Sequence, residues 1–325
     1  RTYFQELNVS LNRMQLALNT FEQALTHKED WVTWSSLLKS SKINRTSLNT
    51  GPRDVGKFLF ENLFNRYGGG LICSATLTVE FAFDYIKDQL GLDNLNIEKE
   101  VKGHIYQSPF HYEDQVKLFV WQGDVDVNSA AFIQKIGDQI NEISSRIHRR
   151  MLVLCTSYNQ TTALRDYLRP KMNQDERQLF TQSIGKNRKS LLQGYLQHKR
   201  SILIGTSSFW EGVDLPGDKV ELLILMKIPF ASPSDPIIQS QIDYYKMQSR
   251  NPFMEFQVPD ATVRLKQGFG RLIRSLEDSG ICMIVDPRVT KSRYGKVILD
   301  SLPVQAQLYE HSSRIIYEAE SFFGN

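Results

Sequence analysis

Six short apolar runs, LICSAT (71–76), MLVLCTSY (151–158), LFTQS (179–183), SILIGT (201–206), ELLILMKIPF (221–230) and ICMIVD (281–286), constrain this chain more than any other feature. Most are apolar without interruption rather than alternating, the pattern of strands buried on both faces of a parallel sheet. Between them lie segments with helical periodicity, such as TTALRDYLRP (161–170) and NRKSLLQGYLQH (187–198). Strands alternating with helices predict an α/β fold, a doubly wound parallel sheet with right-handed crossovers. No internal repeat or low-complexity tract competes with that reading.

The N-terminus has a different texture. Phe4, Leu7, Leu11, Met14, Leu18, Phe21 and Leu25 are spaced alternately by three and four, the seam of a long amphipathic helix that packs lengthwise on a neighbour. A protein-interaction helix is the other reading; dimerisation abolished by Leu11→Asp would mark it. A polar stretch with Trp31 and Trp34 follows. At 325 residues there is room for two domains, and a net charge of +3 accommodates a polyanionic partner without demanding one. Cys73, Cys155 and Cys282 lie in or beside apolar runs, as small buried hydrophobes do. With no C-x-x-C and no ligand spacing among six histidines, no metal site and no disulfide framework are expected, which suits a reducing cytoplasm. No apolar run approaches the roughly 18 residues of a membrane span. No secretory signal is read either, and a start at Arg1 rather than Met fits a fragment.

GPRDVGKF (51–58) comes within one residue of the phosphate loop G-x-x-x-x-G-K-[ST]. A phosphate loop follows a strand and opens a helix, so that amides and helix dipole face the phosphates. Here SSKINRTSLNT precedes it, polar and without strand character, and Phe58 stands where the magnesium-binding hydroxyl belongs. The reading is a plain helix start, capped by Thr50 or Asn49, with Pro52 in its first turn and Phe58, Leu59 and Leu63 on its buried face. No acidic pair after an apolar strand supplies the second half of such a site.

Other stretches carry a resemblance. LICSATLT ending in Ser74-Ala75-Thr76, GTSSFWEGVDLPG (205–217) after a strand, and QGFGRLIRS (267–275) after a helix starting near Pro259 to Val263 resemble, in this order, motifs III, V and VI of the superfamily 2 helicases. The wording SFWEGVDLPGD with IVDPRV is similar to the DinG/XPD-like branch. LVLCTSYNQ (152–160) resembles its motif IV, and SPFHYEDQVKLFV (108–120) the start of its second motor domain. The resemblance implies a RecA-like second motor domain over 104–325, the C-terminal edge of the first over 51–103, and in 1–50 the helical tail of an arch-type insertion.

Each motif has its chemistry. Arg271 and Arg274 are three apart, so on a helix they share a face and suit the γ-phosphate of a nucleotide held by a facing domain. Such an arginine finger is worth about 10³–10⁵ in rate; the competing reading is a solvated pair. Gln267, one turn earlier, reaches the same nucleotide or its attacking water. Gly268 and Gly270 beside them suggest close backbone approach. The resemblance implies that Asp214 contacts the nucleotide or holds the two arginines. It places Glu211, Gly212 and Gly268 at the same site, with Glu211 coupling to nucleic acid; local pairing of the carboxylates with Lys219 or Arg200 is the alternative. Ser74 and Thr76 would transmit nucleotide state, or else cap a strand end. Ser157, Tyr158, Thr206, Ser207 and Trp210 lie at or after strand ends, where hydroxyls meet phosphates and aromatics stack on bases. Packing roles for Trp210 and Tyr158 stay open.

The resemblance therefore implies part of an ATP-dependent helicase moving 5′ to 3′ along single-stranded DNA, with RNA also open. ATP and Mg²⁺ would be bound mainly by the missing N-terminal motor half, leaving this chain inactive alone. Nuclear and archaeal members carry an iron–sulfur cluster in the missing region, on which the three scattered cysteines are silent. Gram-positive DinG-like proteins add a 3′-to-5′ exonuclease domain. The alternative is a degenerate, nucleic-acid-binding helicase module serving such a nuclease, and the intact wording of motifs V and VI speaks against it.

Overall fold

The computed structural model describes residues 2–26, 30–39, 44–94, 100–172, 177–183, 187–206 and 220–324. They form two compact units: Ser74–Ala82, His104–Phe230 and Val258–Asn325 in one, and Arg1–Cys73, Phe83–Gly103 and Ala231–Gln257 in the other.

The first unit is a seven-stranded, all-parallel sheet in the order β5-β6-β4-β7-β8-β3-β9. Its strands are β3 (Val116–Trp121), β4 (Met151–Leu154), β5 (Gln178–Thr181), β6 (Ser201–Gly205), β7 (Leu222–Leu225), β8 (Gly280–Ile284) and β9 (Ala306–Tyr309). The uninterrupted apolar runs have a direct cause here. Leu152 and Leu154, Leu223 and Leu225, and Cys282 and Ile284 face one core, while Val153, Ile224 and Met283 face the other. Helices close both faces: Val258–Phe269 and Arg293–Asp300 on one, Ala130–Arg146, Tyr158–Leu168 and Ser312–Phe323 on the other. This is the doubly wound, RecA-like α/β sheet that the sequence predicts. Burial pushes the Cys155 and Cys282 thiols far above their usual range.

At the C-terminal ends of β7 and β8, Asp286 is fully buried. Its carboxylate accepts from the Ile228 backbone N–H at 2.9 Å, from the Arg288 N–H at 3.0 Å and from the Arg288 guanidinium, Nη2 at 2.6 Å. One side chain thus ties the ends of two strands.

Two expectations fail in this sheet. LICSAT forms no strand, Leu71 is 89% exposed and Cys73 is exposed rather than buried. Apolarity there lacks the neighbouring strand that hydrogen-bonds a backbone into a sheet; among the described residues none pairs with 71–76. Conversely, β3 and β9 are strands that the sequence hides, the first interrupted by Lys117 and the second a short, half-buried edge strand.

In the other unit, α1 (Thr2–Thr26) leads into an antiparallel hairpin of β1 (Trp31–Lys39) and β2 (Asn44–Pro52). Leu7, Leu11, Met14, Leu18, Phe21 and Leu25 are each more than half exposed, so the expected lengthwise packing of this seam is not met among the described residues. The stretch read as polar and strandless is β2. Its hydroxyl and amide side chains bridge the hairpin: Ser36 to Ser47 at 2.6 Å and Asn49 to Ser36 at 3.2 Å. Such cross-strand pairs stabilise a sheet without apolar alternation.

GPRDVGKF is thus preceded by a strand after all, yet it is no phosphate loop. Gly51 and Pro52 end β2, and only Arg53 and Asp54 separate it from α2 (Val55–Asn62), too little chain to wrap phosphates. Asp54, not Thr50 or Asn49, is the cap, accepting from Lys57 N–H at 2.8 Å and from Tyr244 Oη at 2.7 Å. A carboxylate therefore sits where a phosphate would, and Lys57 is paired with Asp30 at 2.7 Å. Pro52 lies outside the helix, and Phe58 and Leu63 are exposed; the buried residue is Gly56. A Cβ there would lie 2.6 Å from the backbone nitrogen of Gly91, so the glycine serves the crossing of α2 with α3 (Asp84–Leu90).

Candidate nucleotide and nucleic-acid site

The helix Val258–Phe269 splits its surface by chemistry. Val258, Ala261, Leu265 and Phe269 are buried in the core. Asp260, Val263, Arg264 and Gln267, at helical spacings of three, four and seven, line a cavity of about 560 Å³ together with Arg271, Ser74 and Thr76. Four of the residues singled out in sequence therefore share one concavity, although Ser74 and Gln267 lie far apart in the chain. The segment carrying Ser74 and Thr76 is held against this helix by Lys266, whose Nζ donates to the Thr78 carbonyl at 2.7 Å, and it is tied to the end of the helix Arg293–Asp300 by the Glu80 N–H, which donates to Ser301 Oγ at 2.9 Å. Burial lowers the Lys266 pKa. Thr76 N–H donates to Ser74 Oγ at 3.3 Å, so a turn rather than a strand end presents the two hydroxyls.

Arg271 and Arg274 are not on a helix. The helix ends at Phe269, Gly270 N–H still donates to Lys266 O at 2.9 Å, and the chain then tightens into turns, Arg271 N–H to Gly268 O at 3.1 Å and Leu272 N–H to Phe269 O at 3.0 Å. Leu272 and Ile273 bury themselves in the core, which leaves both arginines half-buried on either side of that anchor. Asp278 fixes the second, its carboxylate accepting from the N–H groups of Arg274 at 2.7 Å and Ser275 at 2.8 Å. Arg271 lines the cavity; Arg274 and the buried Gly268 are not among its lining residues. Asp260 and Arg264, missed in sequence, pair at 2.8 Å on the cavity wall, and their four-residue spacing was the only signal available.

The described nucleic-acid candidates, Ser157, Tyr158 and Thr206, follow β4 and β6, which are neighbours in the sheet, at the edge where open α/β sheets bind ligands. Ser157 caps the helix Tyr158–Leu168, its Oγ accepting from Gln160 N–H at 3.2 Å. Tyr158 is 39% exposed. Thr206 is buried, and its backbone N–H and hydroxyl both donate to Gln182 Oε1, at 2.7 and 3.0 Å. Gln182 Nε2 in turn donates to Tyr158 Oη at 3.2 Å. Nothing local in the sequence marks Gln182, which lies 24 residues from each partner. Ser207, Trp210, Glu211, Gly212 and Asp214 lie outside the described residues.

Among the described residues no group of three or more His, Cys, Asp or Glu side chains is placed to hold a metal ion, and no helix is long and apolar enough to cross a membrane.

The helicase C-terminal domain family matches residues 140–305. The chain is 35% identical over 233 residues to the ATP-dependent DNA helicase YoaA of Haemophilus influenzae, covering 72% of this chain and 35% of that protein. It is 29% identical over 279 residues to the 3′-5′ exonuclease DinG of Bacillus subtilis, covering 85% of this chain and 30% of the relative. The chain thus spans about a third of the length of these curated relatives. Among solved structures, an XPD helicase superposes with a TM-score of 0.57 at 16% identity, over 81% of this chain and 46% of that one.

Proposed function

The chain belongs to the helicase C-terminal domain family, in the DinG/XPD-like branch of superfamily 2, and from that premise we propose that it is the second motor half of an ATP-dependent helicase that translocates 5′ to 3′ on single-stranded DNA. The observation that carries this reading is the single cavity shared by Ser74, Thr76, Gln267 and Arg271. An amide, a guanidinium and two hydroxyls facing one space suit a triphosphate presented by another domain. Arg271 neutralises charge developing on the γ-phosphate, and Gln267 orients the attacking water. Ser74 and Thr76 relay occupancy of the site, and Arg274, held by Asp278, flanks it. Asp214, Glu211 and Gly212 complete the nucleotide side.

The phosphate-cradling loop and the Mg²⁺ ligands belong to chain outside these residues, so the 325 residues alone do not turn over ATP. The second motor domain is assigned to 104–325 and the edge of the first to 51–103, with Ala231–Gln257 departing from the former into the other compact unit and Ser74–Ala82 joining the sheet unit; 1–50 is the tail of an arch-type insertion. The strand of DNA crosses the ends of β4 to β6 over Ser157, Tyr158, Ser207 and Trp210, in the cytoplasm. The name of the Bacillus subtilis relative favours a second reading, in which this half serves an attached 3′-to-5′ exonuclease as a binding platform.

ATP turnover separates the two. The longest natural polypeptide carrying this sequence hydrolyses ATP, faster with single-stranded DNA, while the 325-residue chain hydrolyses none. A longer polypeptide that binds single-stranded DNA without any turnover would establish the platform instead.

A further inference from the structure

One side chain joins the two elements that flank the strand-end cluster, and its chemistry gives the connection a direction. The Thr206 backbone N–H can only donate, so the Gln182 atom 2.7 Å away is the amide oxygen, and the amide nitrogen is the atom on Tyr158 Oη. The Thr206 hydroxyl donates to the same oxygen, so its hydrogen points inward, consistent with a residue only 3% exposed. Gln182 is itself anchored by its backbone, N–H to Ile204 O at 2.9 Å. Tyr158 Oη accepts from Gln182 and keeps its own hydrogen; among the described residues nothing accepts that hydrogen, and the ring is partly exposed. The hydrogens therefore run one way, from Thr206 to Gln182 to Tyr158 and out to solvent. Polarisation along such a chain strengthens each bond, by about 10–30%.

We propose that Gln182 is a positioning residue: it aims the Tyr158 hydroxyl as a donor at a phosphodiester oxygen of single-stranded nucleic acid, and Thr206 acts through it rather than by touching the strand. The inference rests on the nucleic-acid reading above. Only an amide serves at this position, because it accepts at one end and donates at the other. Glutamate would still accept from Thr206, but its other oxygen would take the Tyr158 hydrogen and turn the phenol away from the strand.

The test is binding of fluorescein-labelled oligo(dT) to the 325-residue chain, followed by fluorescence anisotropy in a Gln182→Glu and Tyr158→Phe double-mutant cycle. Each single change weakens binding about tenfold, the cost of a hydrogen bond to a charged group. The two together are scarcely weaker than either alone once the added charge is screened at higher salt. A Gln182→Glu cost that is the same with and without the Tyr158 hydroxyl overturns the inference, because a merely structural glutamine would behave that way. Tyr158→Phe, which removes one exposed oxygen and leaves the fold intact, overturns it by itself if binding does not change. Tight wild-type binding with indifferent variants removes this inference alone; no wild-type binding removes the DNA reading and this inference with it.

Discussion

Replacing Asp286 should reveal how much one buried carboxylate contributes to the sheet. It is fully buried and accepts from two backbone N–H groups and from the Arg288 guanidinium, on which it acts as the main cause of a raised pKa. Asp286→Ala leaves the buried Ile228 N–H and the Arg288 N–H without acceptors, each costing about 1–3 kcal/mol. The guanidinium, at 39% exposure, recovers part of its solvation, so the full penalty of a stranded buried charge does not apply. The sum is about 3–5 kcal/mol, a large share of a total stability of about 5–15 kcal/mol. Asp286→Asn keeps one acceptor and loses the charge, and should cost about half as much. Because the chain comprises two compact units, bulk denaturation alone does not isolate the effect. Hydrogen exchange of peptides covering β7 and β8 does: protection there falls at least a hundredfold in Asp286→Ala, while α2 and α3 are unaffected. Asp286→Leu with Arg288→Met should cost less than the two singles together, since neither charge is stranded. Protection within about 0.5 kcal/mol of wild type, or strict additivity, would refute the clamp.

Two further outcomes follow from geometry. Gly295→Ala would normally stabilise a helix by about 1 kcal/mol, but here the new Cβ lies 1.8 Å from the Val289 carbonyl oxygen, a backbone atom that no rotamer change relieves; a thermal melt should show a lower Tm, and a higher one would contradict the packing. In the hairpin unit, burial and the hydrogen bond to Asp54 push Tyr244 up to about 12 from 10.0, and burial with Asp88 raises Tyr245 as well. A group whose folded pKa is raised contributes stability below its unfolded value and loses it above, so this unit weakens as pH climbs from 10 toward 12. Tyr244→Phe should flatten part of that slope in denaturation midpoints, and an unchanged slope would discount the tyrosine.

What the sequence made legible follows from what apolarity reports. Burial on both faces leaves an uninterrupted run, so β4, β6, β7 and β8 were readable. β3 was not, because Lys117 breaks its run, nor β9, a half-buried edge. LICSAT misleads for the converse reason: apolar composition does not supply a pairing strand. The hairpin was invisible because hydroxyl ladders, not apolar alternation, hold it. At the site, QGFGRLIRS supplies Gln267 and Arg271, which both line the cavity, but placing the arginines on a helix overlooked that Leu272 and Ile273 must turn into the core. Lys266 and Gln182 act across separations of 188 and 24 residues, and no local spacing encodes such partners; Asp278 reaches back only four residues, to the Arg274 N–H, but a turn rather than a periodic element sets that pairing.

The most direct test of the central claim is single-stranded-DNA-stimulated ATP hydrolysis by the longest natural polypeptide carrying this sequence, with and without Arg271→Ala. In the Arg271→Ala variant kcat should fall about 10³-fold or more, with ATP affinity little changed, because the guanidinium acts on charge that develops in the transition state. Turnover that survives the substitution would show that the cavity of Gln267 and Arg271 is not the catalytic face of this half.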